Sequence, residues 1–284
     1  MYISKFVTPE IIFGKGSLNQ VGECCHRLGA SRLFLVADRG VIKCGWVEKC
    51  LPFIKELALE YQLWSNFSAN PKDFEIDEGA ELYLEHQCDA ILAIGGGSAI
   101  DAAKAVAILA TNGGRIQDYE GIDLIQKPLP PLIVIPSTAG SGSEVSQFSI
   151  IADSERKIKM TIISKSLVPD IAITDPLILS TVDSRVTATT GMEALSHAIE
   201  AYLSLAATDL TDVHALHSIK LISTHLRASV ASQVNEEAKV AMAKASLQAG
   251  IALSNAVLGL THAMTHQVGG LLDLPIGEIS AVLL

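Results

Sequence analysis

Residues 89–105 read DAILAIGGGSAIDAAKA. The segment Ala90–Ile94 is a short unbroken apolar run, the pattern required of a strand buried on both faces of a parallel sheet. Three glycines follow, and then a helix-length stretch opened by Ser98 with Asp101 three positions on, an arrangement close to a capping box. Strand, glycine turn and helix in that order form one half of a βαβ unit. Glycine lets backbone approach a bulky ligand, and the open N–H groups of a helix start favour a phosphate. The spacing is not the dinucleotide fingerprint Gly-x-Gly-x-x-Gly, so a tight turn and a phosphate loop both remain open at this point.

Four more runs of the same kind lie around it: RLFLVAD (32–38), PLIVIPST (131–138), FSIIAD (148–153) and DIAITD (170–175). Alternating with amphipathic stretches, they predict an α/β domain with a mostly parallel, doubly covered sheet. From about Thr187 no β-like run occurs, and GMEALSHAIEAYLS, EEAKVAMAKASLQAGIALSNAVL and LTHAMTHQVGGLL carry helical spacing. This predicts two domains, an α/β domain over residues 1–183 and an all-α domain over 184–284.

At 284 residues and 49% hydrophobic, the chain is long enough to support two cores. Its mean hydropathy of +0.36 is high, yet no uncharged apolar run approaches the roughly 18 residues of a spanning helix, so no membrane role is expected. A net charge of -10 with no basic patch argues against a nucleic-acid partner. Cys24, Cys25, Cys44, Cys50 and Cys88 include no Cys-x-x-Cys pair, and the N-terminus has no signal core. A reduced, cytoplasmic protein is expected.

A second small-residue loop, IPSTAGSGSE (135–144), follows a strand and offers the hydroxyls of Ser137, Thr138, Ser141 and Ser143. Two such loops at strand C-terminal ends mark a ligand crevice. Asp38 closes the strand RLFLVAD. There it can accept hydrogen bonds from a ribose and repel a 2′-phosphate, selecting NAD, or it can cap the following helix.

In GLTHAMTHQVGGLLDLPIGE (259–278), His262 and His266 stand four apart, and Glu193 and His197 repeat that spacing in ATTGMEALSHAIEAY. Each pair falls on one helix face. Together they offer a mixed oxygen and nitrogen set suited to Fe(II) or Zn(II), or else they are satisfied core histidines. His214, His217 and His225 lie among polar residues and are assigned to a solvated face.

The segments GGGSAIDAAKA, PSTAGSGSEVSQFSII, LVPDIAITDP, GMEALSHAIEAY and GLTHAMTHQVGGLLDLPIGE, in that order over essentially the whole chain, resemble the iron-containing (group III) alcohol dehydrogenase family, with its dehydroquinate-synthase-like fold. The resemblance implies an N-terminal NAD-binding domain, a helical metal and substrate domain, and catalysis in the cleft between them. It places the cofactor on Asp38, Asn70, Gly96, Gly97, Ser98, Thr138, Ser141 and Lys159. The family's metal is held by an aspartate and three histidines, which correspond here to Glu193, His197, His262 and Ile276. Glu193 keeps a carboxylate on a longer arm, whereas Ile276 has no donor atom, so Fe(II) or Zn(II) is expected to bind weakly or not at all. His266 matches a histidine that lines the site and is assigned a catalytic role. The family usually continues beyond the position of Leu284, so the helical part is expected to be incomplete relative to it.

The implied reaction is hydride transfer between a small primary alcohol or aldehyde and NAD. The alternatives are an NAD-binding relative with a degraded metal site, working without metal or as a regulatory or interaction protein, and a polyol dehydrogenase or synthase on the same fold. A homodimer is expected, since symmetric dimers dominate among soluble oligomers.

Overall fold

The computed structural model describes residues 5–272 and 274–284. The N-terminal part carries strands β1 (Glu10–Phe13), β2 (Arg32–Ala37), β3 (Glu60–Trp64), β4 (Ala90–Gly95), β5 (Gly121–Ile122), β6 (Leu132–Pro136), β7 (Phe148–Asp153), β8 (Ile158–Ile163) and β9 (Ile171–Thr174). Its helices are α1 (Val21–Arg27), α2 (Arg39–Lys43), α3 (Trp46–Glu56), α4 (Asp73–Glu85) and α5 (Gly97–Asn112). Beyond them follow α6 (Ser184–Leu203), α7 (Asp209–Ala231), α8 (Glu236–Ala256), α9 (Leu260–Leu272) and α10 (Ile276–Leu283), with no strand among the described residues there.

Six strands form one sheet in the order β1-β9-β6-β4-β2-β3, and every pairing in it is parallel. Successive side chains serve opposite cores. Leu33, Leu35, Leu92, Ile94, Ile133 and Ile135 pack with α1 and α3 on one face, while Phe34, Val36, Ile91, Ala93 and Val134 pack with α4 and α5 on the other. Burial on both sides explains why these strands read as continuous apolar runs, and each fully buried Leu or Ile contributes about 1.5–3 kcal/mol.

The chain passes from β2 outward to β3 and returns to β4 on the other side of β2. The strand order therefore reverses between β2 and β4, the place where open α/β sheets form a ligand crevice beyond the strand C-terminal ends. Asp38 and Gly96–Ser98 emerge at that point. The serine-rich loop follows β6, the next strand along.

FSIIAD does not join this sheet. As β7 it pairs antiparallel with β8, which also pairs with β5, in a separate three-stranded sheet. Its burial alternates along the strand, the period-two signature of a sheet covered on one face. That covered face holds α5, whose residues Ala102–Leu109 are all buried between the two sheets. The edge strands β1 and β3 lie outside the five sequence-assigned runs; with one edge open, EIIF and EYQLW carry polar residues that blur the apolar signal.

Asp183 caps α6 by accepting from the Val186 N–H at 2.9 Å, and Asn235 caps α8 by accepting from the Ala238 N–H at 3.0 Å. Ala194, Ala198, Ala243, Ala245 and Ala249 form much of the α6–α8 contact, with Ile222 of α7 alongside. Small residues let these helices approach closely. Helix α9 packs on β8, and α10 packs on both α6 and α9. Among the described residues, no helix is long and apolar enough to cross a membrane.

Candidate active site

A cavity of about 390 Å³ lies above the reversal point. Asn70, Gly96, Gly97, Ser98, Thr138, Ser141 and Lys159 all line it, together with Glu193 and Ile276 from the helical part. Asp38 stands behind the wall: it caps α2 by accepting from Val41 N–H at 2.8 Å, and its second oxygen accepts from Gly96 N–H at 3.1 Å. The capping role open in the sequence is thus realised, and the same carboxylate braces the glycine loop.

The capping-box reading of Ser98 and Asp101 is not borne out. Helix α5 starts at Gly97 with Gly96 as its N-cap, and no side chain caps it. Ser98 lies inside the first turn, so its hydroxyl reaches outward and donates to the Ala69 carbonyl. Asp38 takes the N–H of Gly96 from behind, but no side chain caps the first N–H groups of α5 itself, and the helix start lines the cavity, which suits an anionic group there.

The two loops touch each other. A Cβ at Gly97 would stand 2.7 Å from the Ser141 hydroxyl oxygen, so only glycine permits that approach. Gly142, at φ +67°, brings the second loop onto α8, where a Cβ would meet the Gly250 Cα at 2.5 Å. Beneath the loops, the fully buried Lys104 donates from Nζ to the carbonyls of Ser143 and Ser146, each at 2.8 Å, and of Phe148 at 2.9 Å. Burial pushes this ammonium down and pushes the carboxyls of Asp101 and Glu144 up, while the attraction between Lys104 and the two acids opposes both trends. At the rim of the cavity Lys159 donates to the Asn70 carboxamide oxygen at 2.7 Å.

A second cavity of about 240 Å³ adjoins the first, sharing Glu193, Ile276, Ser141 and Asp101 as walls. It holds all three sequence-assigned histidines. His197 and His262 have ring centroids 4.5 Å apart, and His262 and His266 are 6.2 Å apart. The His197 Nδ1 sits 3.2 Å from the Gly140 carbonyl, and the His262 Nδ1 is bonded to the Glu200 carboxylate. His262 Nε2 and His266 Nδ1 are buried without a hydrogen-bond partner. Burial pushes His197 well below the usual histidine range, with His262 adding to the effect. It takes His266 down to about 4, so both rings are neutral and carry free lone pairs near pH 7. Burial also raises Glu193 to about 7, against the pull of Lys159.

Orphaned lone pairs beside a carboxylate, with the far nitrogens held by protein acceptors, match the donor chemistry of a cation site. His197 and His262 are prepared as donors in this way, and Glu193 stands on the same wall. Ile276 fills the remaining direction with hydrocarbon, and no cluster of three or more His, Cys, Asp or Glu that could hold a metal ion is found among the described residues. Two imidazoles fit the group and the set around them is thin.

Some residues escaped the sequence reading. Glu200 falls on the stripe of Glu193 and His197 at i, i+7, a signal that was present. Arg185, at the mouth of the first cavity, donates from Nε and Nη2 to one Glu278 oxygen, at 3.0 and 2.9 Å, across 93 residues that no local pattern spans. Of the histidines assigned to a solvated face, His217 is exposed. His214 and His225 depart from that assignment: both are half-buried, and His214 stacks on Phe6.

This fold and site define a class. The profile of the iron-containing alcohol dehydrogenases matches residues 8–176, and that of the C-terminal domain of the Fe-containing alcohol dehydrogenase family matches 187–284. The chain belongs to the iron-containing alcohol dehydrogenase family of oxidoreductases. It is 39% identical to the NAD-dependent methanol dehydrogenase of Bacillus methanolicus over 277 residues, covering 98% of this chain and 73% of that one. To the 1,3-propanediol dehydrogenase of Klebsiella pneumoniae it is 41% identical over 282 residues, again 98% and 73% of the two chains. The crystal structure of a 1,3-propanediol oxidoreductase superposes with a TM-score of 0.96 at 40% identity, covering 99% of this chain and 74% of that one.

Proposed function

We propose that the protein is an NAD-dependent alcohol dehydrogenase that moves a hydride between a small primary alcohol or aldehyde and NAD. The observation that carries this reading is the pair of adjoining cavities, one over the start of α5 and the other lined by three histidines. Residues 1–183 act as the cofactor domain and 184–284 as the metal and substrate domain. Gly96, Gly97 and Ser98 would hold the dinucleotide's phosphates at the start of α5, and Thr138, Ser141, Asn70 and Lys159, which line the same cavity, would bind the rest of it. Cytoplasmic residence is supported by cysteines that are all free, and a homodimer by the prevalence of twofold assemblies.

A divalent cation on Glu193, His197 and His262 would supply a Lewis acid that makes the alcohol easier to deprotonate. The chain's own residues do the rest. His266, neutral and with an open Nδ1, accepts the hydrogen bond of the substrate hydroxyl. Ile276 and the apolar wall limit water around the reacting atoms. The carbinol carbon would give its hydride to bound NAD, and the hydroxyl proton would pass to His266 Nδ1 and from there to solvent. Steady-state assays with a panel of primary alcohols, polyols and NAD test this. Reduction of NAD with primary alcohols is the expected result, and turnover of polyols alone would replace it with the polyol reading.

The hydrocarbon at Ile276 supports a second reading, in which the chain binds NAD but works without metal or serves as a regulatory or interaction protein. Metal content of freshly purified protein, together with activity before and after added Fe(II) or Zn(II), separates the two.

Asp38 is the basis of the cofactor preference. Asp38→Asn removes the charge and keeps an acceptor oxygen for only one of the Val41 and Gly96 N–H groups, and the preference for NADH over NADPH should narrow by on the order of 10-fold, about 1.4 kcal/mol. Paired Kd measurements check it. Equal affinity of the unmodified protein for both cofactors would remove this role.

A further inference from the structure

We propose that Glu200 is a positioning residue that fixes His262 as the tautomer protonated on Nδ1, so that its Nε2 lone pair faces the histidine cavity. Glu200 lies on α6, yet its carboxylate is spent on the first turn of α9. One oxygen accepts from Thr261 N–H at 2.6 Å; the other accepts from His262 N–H at 3.3 Å and is bonded to His262 Nδ1. Gly259 makes room for it, since a Cβ there would stand 2.9 Å from the Glu200 oxygen. Glu200 and His262 are both buried, at 7% and 1% exposure, so the contact is shielded from water and from salt.

The tautomer follows from the bookkeeping of donors. A carboxylate already accepting two backbone N–H groups is held as the anion, an acceptor only, so the proton it shares with the ring sits on Nδ1. Nε2, buried and with no partner, is then a bare lone pair in the cavity that also holds His197 and Glu193. The opposite tautomer would bury an N–H there with no acceptor, which is unfavourable. Glu200 also caps α9 from a neighbouring helix, which couples the position of the α9 start to the orientation of the ring. Carboxylates behind imidazole ligands commonly set both ring orientation and basicity. The consequence for metal affinity rests on the cavity being the donor site proposed above; the tautomer does not.

The closing experiment keeps those two claims apart. In metal-free protein labelled with 15N-histidine, the His262 nitrogens are expected to show a protonated Nδ1 and a bare Nε2. In Glu200→Gln the carboxamide oxygen can keep the Thr261 N–H, while the NH2 in place of the second oxygen gives up the long His262 N–H contact and donates to Nδ1, so the proton moves to Nε2 and the tautomer inverts. Thermal stability should stay near that of the unmodified protein, and Zn(II) affinity should fall about 10- to 100-fold. Protonated Nε2 in the unmodified protein, or an unchanged tautomer in folded Glu200→Gln, would reduce Glu200 to a helix cap and overturn the proposal. If Glu200→Gln does not fold, the tautomer of the unmodified protein decides alone. Correct tautomers with no Zn(II) binding by either protein would refute the donor-site reading and leave the role of Glu200 intact.

Discussion

Ile276→His is expected to raise the affinity for Fe(II) or Zn(II) by at least about 10- to 100-fold, roughly 1.4–2.7 kcal/mol or more. Position 276 is the first residue of α10, set by Pro275 at the N-cap, and it lines both cavities between Glu193 and His266. An imidazole there would add a donor to a set that now offers two prepared imidazoles and a carboxylate. Disturbing only the groups behind a metal ligand costs 10- to 100-fold, so supplying a missing ligand is worth at least as much. Titration of Zn(II) into both proteins measures the change. Tight stoichiometric binding by the unmodified protein, unchanged by the substitution, would show that the fourth direction is filled in some other way.

Lys104→Met should destabilise the protein by about 3–5 kcal/mol. Three carbonyls of the Ser143–Phe148 segment converge on the Lys104 ammonium inside a space with no exposure at all. The thioether fills the volume but donates nothing, so those oxygens lose their partners and Asp101 and Glu144 lose the charge that opposes their burial. Urea unfolding of the two proteins gives the difference. A loss below about 1 kcal/mol would mean that the segment finds other donors, and that the lysine is not what fixes the spacing of the two loops.

Much of this architecture is written locally. RLFLVAD, AILAIG, LIVIP and IAIT are buried on both sides and read as strands because all but their end positions are apolar. FSIIAD reads like them, but its partner is IKMTII, a strand in which Lys159 and Thr161 interrupt the apolar run. The decision between joining the main sheet and covering α5 depends on packing that no single stretch reveals. The same division holds in the site. Glycine loops and histidine pairs at helical spacing are visible because their chemistry resides in residue type and interval. Lys104 is not, since a lysine in an alanine-rich helix reads as a surface residue until the Ser143–Phe148 carbonyls are brought against it. Glu200 lies between these cases: its interval from Glu193 was legible, but its service to His262 needed α6 and α9 placed together. Asp38 realises the capping reading, and its second oxygen also braces the glycine loop across 58 residues, a contact that no local pattern announces.

The central claim is that NAD is held where α5 begins, against the two glycine-containing loops. Fluorescence titration of NADH into the unmodified protein and into Gly96→Val tests it most directly. Gly96 has an ordinary extended backbone, at φ -72° and ψ -173°, and a Cβ there would meet only the Thr138 side chain, at 3.4 Å, so the variant should fold with an unchanged circular-dichroism spectrum. The account predicts saturable NADH binding by the unmodified protein and a loss of at least about 10-fold in the folded variant, or about 1.4 kcal/mol. Equal NADH affinity in the two proteins would place the cofactor elsewhere and contradict it.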